Sequence, residues 1–104
     1  SKLKLQDANY ERISASLMLK NKIDATQAEV ISLEEQNQLV LKIVSDYEDL
    51  VRAEERKFQL GESSLFLINT REQKLLETAL KANTLNMKTL KARATLYNVL
   101  GIVN

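Results

Sequence analysis

The stretch FQLGESSLFLI at positions 58–68 decides the fold of this chain. It contains Gly61, one of only two glycines among 104 residues, and the chain has no proline. Arg56 and Lys57 come just before it, where basic side chains interact favourably with the negative end of a helix. Glycine typically follows a helix end because it readily adopts positive φ. The sequence therefore predicts that one helix ends here and that the chain turns.

Two candidate starts exist for the helix after the turn. Ser63 and Ser64 carry hydroxyls that can cap its first backbone amides. Thr70 with Gln73 matches a capping box several residues later, and the sequence leaves both starts open. The predicted boundaries are a helix of about 2–60, a turn of about 61–64 and a helix of about 64–101. The short connection favours antiparallel packing, so we predict an all-α fold: a long antiparallel two-helix coiled-coil hairpin.

Apolar residues recur at alternating spacings of three and four on both sides of Gly61, which is typical of helices that pack along a seam. Upstream line 1 consists of Ile23, Thr26, Val30, Leu33, Asn37, Val40, Val44, Tyr47, Val51, Glu54 and Phe58. Upstream line 2 consists of Ala25, Ala28, Ser32, Leu39, Ile43, Leu50, Ala53 and Leu60. Downstream line 1 consists of Leu76, Leu80, Asn83, Met87, Leu90, Ala94 and Tyr97. Downstream line 2 consists of Leu65, Ile68, Leu75, Ala79, Ala82, Leu96, Leu100 and Val103. Two lines per helix predict more than one neighbour for each helix.

Polar residues interrupt this pattern and leave two interpretations open. They are Thr26, Asn37, Glu54, Asn83 and Asn86. In the first interpretation, asparagines such as Asn37 and Asn86 control the register of the helices at a cost in stability. In the second, one side of each helix faces water, as it would in a wide hollow tube.

Composition excludes several classes of function. The chain has no cysteine and no histidine, which removes thiol nucleophiles, hydrolase triads and the usual zinc ligands. The formal charge of +1 does not argue for a nucleic-acid partner. Neighbouring carboxylates such as Glu34 and Glu35, or Glu54 and Glu55, point about 100° apart on a helix and make no shared acid–base site. We therefore expect no enzyme activity, no metal and no cofactor.

The turn resembles the signature of the TolC-like outer-membrane efflux channel family. The resembling core is FQLGESSLFLINTREQ at 58–73, with an aromatic residue three before Gly61 and a serine three after it. Residues 45–54 resemble the end of that family's long periplasmic helix. Residues 92–101 resemble the end of that family's returning helix, which carries a Leu-Gly pair. The resemblance covers about residues 21–101 and is most specific at GESSLFLINTRE.

The resemblance implies an architecture and partners. In that family a homotrimer builds a twelve-helix periplasmic tunnel continuous with a β-barrel in the outer membrane. This chain would be the periplasmic hairpin of the second repeat, part of an α-helical barrel in the full protein, with strands preceding Ser1. Its tip would meet a periplasmic adaptor, or membrane-fusion protein, and through it an inner-membrane pump. An excised hairpin would leave apolar lines uncovered, and we expect such a piece to self-associate artificially.

The resemblance also implies site residues at the tip. The adaptor-binding set is Phe58, Leu60, Gly61, Glu62, Ser63 and Ser64. The structural alternative is that Gly61 is merely a C-cap and Ser64 merely an N-cap. Candidates for closing the tunnel at the tip are Phe66, Leu67, Thr70 and Arg71. Some family members place acidic and basic side chains just after the glycine, and the uncharged Ser63, Leu67 and Thr70 here argue against an ionic gate.

A second function class fits the helices. A self-associating coiled-coil scaffold of the cytosol would also need heptads. Self-association alone would explain neither the turn sequence nor the second apolar line of each helix.

Overall fold

Two long helices form the fold of the computed structural model, which describes residues 2–103 and the side chains of residues 2–102. Helix α1 is Lys2–Gln59, and helix α2 is Leu65–Val103. The described residues contain no strand. The predicted all-α helical hairpin with its turn at Gly61 is confirmed. Helix α2 begins one residue later than expected and continues through Gly101, which is helical.

Sequence composition explains why these helices run so far. Helix α1 holds no glycine or proline over 58 residues, so it contains neither of the two residue types that most strongly disfavour a helix interior. Threonine is a weaker helix former, yet α2 contains several. In α2 the hydroxyls of Thr70, Thr78, Thr84, Thr89 and Thr95 each donate to the carbonyl four residues earlier, so these groups are satisfied within the helix. Neither helix, over the residues described, is long and apolar enough to span a bilayer.

The described residues pack as two compact units, residues 33–89 and residues 2–32 with 90–103. In the unit of residues 33–89, α1 and α2 are the two arms that flank the turn. Val40 and Val51 of α1 are buried, as are Ile68 and Thr78 of α2. This unit has a narrow core, one packed line from each helix, and contains the whole turn.

The unit of residues 2–32 with 90–103 has its own buried side chains. Thr26 and Val30 are buried on α1, and Ala92 and Val99 are buried on α2. Of residues 2–18, only Ser14 is even half-buried. The beginning of α1 therefore exposes apolar side chains, namely Leu3, Leu5, Tyr10, Ile13, Leu17 and Met18.

One predicted line of each helix is packed and the other is open. Every member of upstream line 1 except Phe58 is buried or half-buried. In downstream line 2 only Leu65 is exposed, and Val103 lies outside the described side chains. Every member of upstream line 2 except the half-buried Ala53 is exposed, and so is all of downstream line 1. We call upstream line 2 and downstream line 1 the open lines.

Asn37 joins the two helices of the unit of residues 33–89. Its Nδ2 donates to Thr89 Oγ1 at 2.6 Å, and Thr89 Oγ1 donates to the Leu85 carbonyl at 2.8 Å. Thr89 is only 1% exposed, so this pairing lies inside the seam. It favours the register interpretation for Asn37. Asn86 and Asn83 are instead exposed and line an open groove beside Leu41 and Ala82.

Candidate functional site: the hairpin tip

The end of α1 has the hydrogen-bond pattern of a Schellman motif around Gly61. The Glu62 N–H donates to the Lys57 carbonyl at 2.7 Å, and the Gly61 N–H donates to the Phe58 carbonyl at 3.0 Å. Gly61 has φ of 76°, in the left-handed region that favours glycine. These bonds satisfy carbonyls that would otherwise be left unpaired at the helix end. Gly61 therefore stops α1, and the predicted C-cap role is present.

The start of α2 is capped by Ser64. Its Oγ accepts a hydrogen bond from the Leu67 N–H at 3.2 Å, and its carbonyl accepts the Ile68 N–H at 3.1 Å. This is the geometry of an N-cap serine. Thr70 lies inside the helix, where its hydroxyl donates to the Phe66 carbonyl at 2.8 Å. The choice between the two predicted starts is thereby settled in favour of Ser64.

A buried carboxylate lies beneath the turn. Ser63 Oγ donates to Glu54 Oε1 at 2.9 Å, and Lys57 Nζ lies 4.0 Å from Glu54 Oε2. Glu54 is 6% exposed, whereas the Lys57 side chain is largely in solvent. We call Glu54, Lys57 and Ser63 the Glu54 cluster. It connects the last turns of α1 to the residue that precedes the cap of α2.

An apolar surface surrounds the turn on the outside. Leu60 is 73% exposed, Phe66 is 76% exposed, and Leu65 is similarly open. We call these three residues the tip surface. A Cβ built on Gly61 would have no neighbour within 4 Å, so an approaching molecule can reach the backbone there. Phe58 and Leu67 are exposed beside it to a lesser degree.

Charged residues near the tip carry both signs. Glu55, Arg56 and Glu62 are exposed, and Arg71 is half-buried. Farther down α1, Arg52 is paired with Asp49. Among the described residues no group of three His, Cys, Asp or Glu side chains could hold a metal ion. The tip thus offers an apolar contact surface with charged residues of both signs nearby.

The residues predicted for adaptor binding fall into two groups in the structure. Leu60, Gly61 and Glu62 are exposed and free to contact a partner. The hydroxyls of Ser63 and Ser64 are engaged inside the chain, with Glu54 and the Leu67 amide. Phe58 belongs to neither group. It is the last member of upstream line 1, but its side chain is exposed.

The candidates for tip closure are similarly divided. Phe66 and Leu67 project apolar surface at the start of α2. Thr70 uses its hydroxyl within the helix, and Arg71 is half-buried. Of the four, only the first two therefore offer free apolar surface at the tip.

Sequence reasoning missed two tip residues. By its spacing Leu65 belongs to downstream line 2, yet its exposed side chain is part of the tip surface. Glu54 was recognised as a polar interruption of its line but not as a contact of the turn. A signal for Glu54 existed, since a carboxylate on the packed face two turns before Gly61 needs a donor, and Ser63 can supply one.

Comparison of the chain with family models, curated proteins and solved structures gives no match. A function therefore has to be argued from the tip and from the open lines.

Proposed function

We propose that this chain is the periplasmic hairpin of a trimeric outer-membrane efflux or export channel of the TolC-like kind. In this proposal the hairpin tip docks a periplasmic adaptor, or membrane-fusion protein, which connects it to an inner-membrane pump. The observation that carries the proposal is the tip surface, three exposed apolar side chains beside the accessible backbone of Gly61. The resemblance of residues 58–73 to the family's turn supplies the identity of the partner.

The tip surface is suited to binding because it is apolar and already ordered. Backbone groups of the turn are hydrogen-bonded at the end of α1 and at the start of α2, so the turn is already folded when a partner binds. Leu60 and Phe66 present large apolar side chains, which supply binding energy when a partner removes them from water. Gly61 presents no side chain that would hold a partner away.

The open lines support a role for this hairpin as one part of a larger wall of helices. An apolar line exposed to water is unfavourable and normally marks a contact surface. In the unit of residues 33–89, Leu39, Ile43 and Leu50 of α1 are exposed, as are Leu80 and Met87 of α2. Neighbouring helices on both sides would cover them. A tunnel whose wall is one helix thick requires such contacts from every hairpin.

Transport in this proposal involves no covalent chemistry. The tunnel opens when the hairpin helices slide against their neighbours, a shear motion known from other helical assemblies. Phe66 and Leu67 close the tip by apolar packing, and Arg71 is the nearest cation. The segment lies in the periplasm, and the complete protein is located in the outer membrane.

The proposal is tested by photo-crosslinking in intact cell envelopes that contain the complete protein. A photoreactive residue replaces Leu60 or Phe66 at the tip and, as a matched control, Leu76 or Tyr97 on downstream line 1. All four side chains are largely exposed, so the substitutions should leave the hairpin folded. We expect tip positions to capture an adaptor protein and control positions to capture the channel itself. Adaptor adducts at the control positions with none at the tip would contradict the docking assignment.

A self-associating scaffold is the second candidate function, because the open lines would also suit a bundle of identical chains. The same experiment separates the two. A scaffold gives adducts between copies of this chain at the control positions, and no envelope protein at the tip.

A further inference from the structure

The position of Glu54 is unusual for a carboxylate. It belongs to upstream line 1, whose other buried members are Thr26, Val30, Val40 and Val51. An ionised group in such a line lowers stability unless its partners compensate for lost water. A methionine or leucine would pack there without that penalty. The contacts of Glu54 therefore point to a role other than filling the seam.

Those contacts bridge the turn. One carboxylate oxygen accepts from Ser63 Oγ, which lies beyond Gly61 in the sequence. The other faces the Lys57 ammonium on the same helix. The Lys57 main-chain carbonyl in turn accepts the N–H groups of Leu60 and Glu62. The carboxylate thus makes a side-chain hydrogen bond that joins α1 to Ser63, next to the cap of α2.

We infer that Glu54 is a positioning residue that fixes the shape of the turn before any partner arrives. Because Glu54 holds Ser63, it also keeps the adjacent Ser64 in place to cap α2. The position of this cap sets the direction in which Leu65 and Phe66 project from the turn. A surface fixed in advance loses less conformational freedom on binding than a flexible loop. The inference rests on contacts within the chain and stands whether or not the proposed function is right.

Amide hydrogen exchange of the 104-residue chain, followed residue by residue by NMR, tests this inference. Glu54→Met removes the acceptor and keeps an unbranched side chain of similar length. We expect the Gly61 and Glu62 amides to exchange about tenfold faster, equivalent to roughly 1.4 kcal/mol of local opening free energy. The amides of Val40 and Val44 in the packed seam should stay within about twofold of the unchanged chain.

Three further variants make the test specific. Glu55→Met is the matched control, because Glu55 is the adjacent glutamate and is exposed. Glu54→Gln keeps a neutral acceptor for Ser63 and should restore most of the protection. Ser63→Ala should speed exchange at Gly61 and Glu62 and also lower the melting temperature, because it leaves the carboxylate buried without its donor.

Two results would overturn the inference. In one, Glu54→Met leaves the Gly61 and Glu62 amides as protected as Glu55→Met does. In the other, Glu54→Met accelerates exchange equally along the whole packed seam, which would make Glu54 an ordinary contributor to global stability.

Discussion

Gly61 acts through its backbone conformation and not through lack of space. Its φ of 76° is unfavourable for residues with a Cβ, although a Cβ there would contact nothing. Gly61→Ala should therefore lower the free energy of unfolding by about 1 kcal/mol. Gly61→Asn should lower it less, because asparagine tolerates the left-handed region. Urea unfolding followed by circular dichroism measures both, and an unchanged midpoint for Gly61→Ala would contradict this assignment.

Ser64 contributes as the cap of α2. Ser64→Ala removes the acceptor for the Leu67 amide and should lower the free energy of unfolding by about 1 kcal/mol. Ser64→Asp should retain stability, because an aspartate also caps and its charge suits a helix N-terminus. Ser45 is an exposed serine within α1, and Ser45→Ala is the control that should be neutral or slightly stabilising. Thermal unfolding of the three variants distinguishes a capping loss from a general effect of losing a hydroxyl.

At the scale of the helices, sequence periodicity predicts two helices that pack along a seam. Periodicity predicts upstream line 1 as a seam, and the structure buries or half-buries all of its members except Phe58. Periodicity could not say which line of α2 would pack, since both are apolar. The structure packs downstream line 2 together with Thr78 and Thr89, which lie on the same face of α2 but belong to neither predicted line. Threonine satisfies its hydroxyl on the helix backbone and packs as a small side chain, a property that apolar counting overlooks.

The tip shows a different limit of sequence reasoning. The position of the turn followed from one glycine and its basic neighbours. The choice of Ser64 over Thr70 as cap did not, because both patterns satisfy the same local rule. The contact between Glu54 and Ser63 depends on how the turn folds back over α1, which a local pattern does not specify.

Asn37 provides a test of the helix seam. Asn37→Val would continue the run of valines in upstream line 1 and should raise the free energy of unfolding by about 1 kcal/mol. Thr89 would keep its bond to the Leu85 carbonyl, so that hydroxyl proton stays satisfied. Asn83→Val is the control, because Asn83 is exposed, and it should change stability little. A loss of stability in Asn37→Val would show that the bond to Thr89 outweighs apolar packing.

At the scale of the whole molecule, the open lines should govern association. Leu80 and Met87 lie on downstream line 1 and are largely exposed, so charge there should not disturb the packed seam. Leu80→Glu combined with Met87→Glu should shift the chain toward monomer in sedimentation velocity, with helix content unchanged. Gln38→Glu combined with Ser45→Glu is the control, because it adds the same two charges at exposed positions of α1 that belong to neither line; it should leave association as it was. Equal association of all variants would show that this line is not the contact surface.

Electron cryomicroscopy of the complete protein in lipid nanodiscs tests the central claim most directly, because it shows both what covers the open lines and where the turn lies. The account predicts three copies around a hollow helical cylinder, with every Gly61 turn exposed at the end farthest from the lipid. A solid bundle of helices, or a Gly61 turn enclosed by other parts of the same assembly, would contradict it.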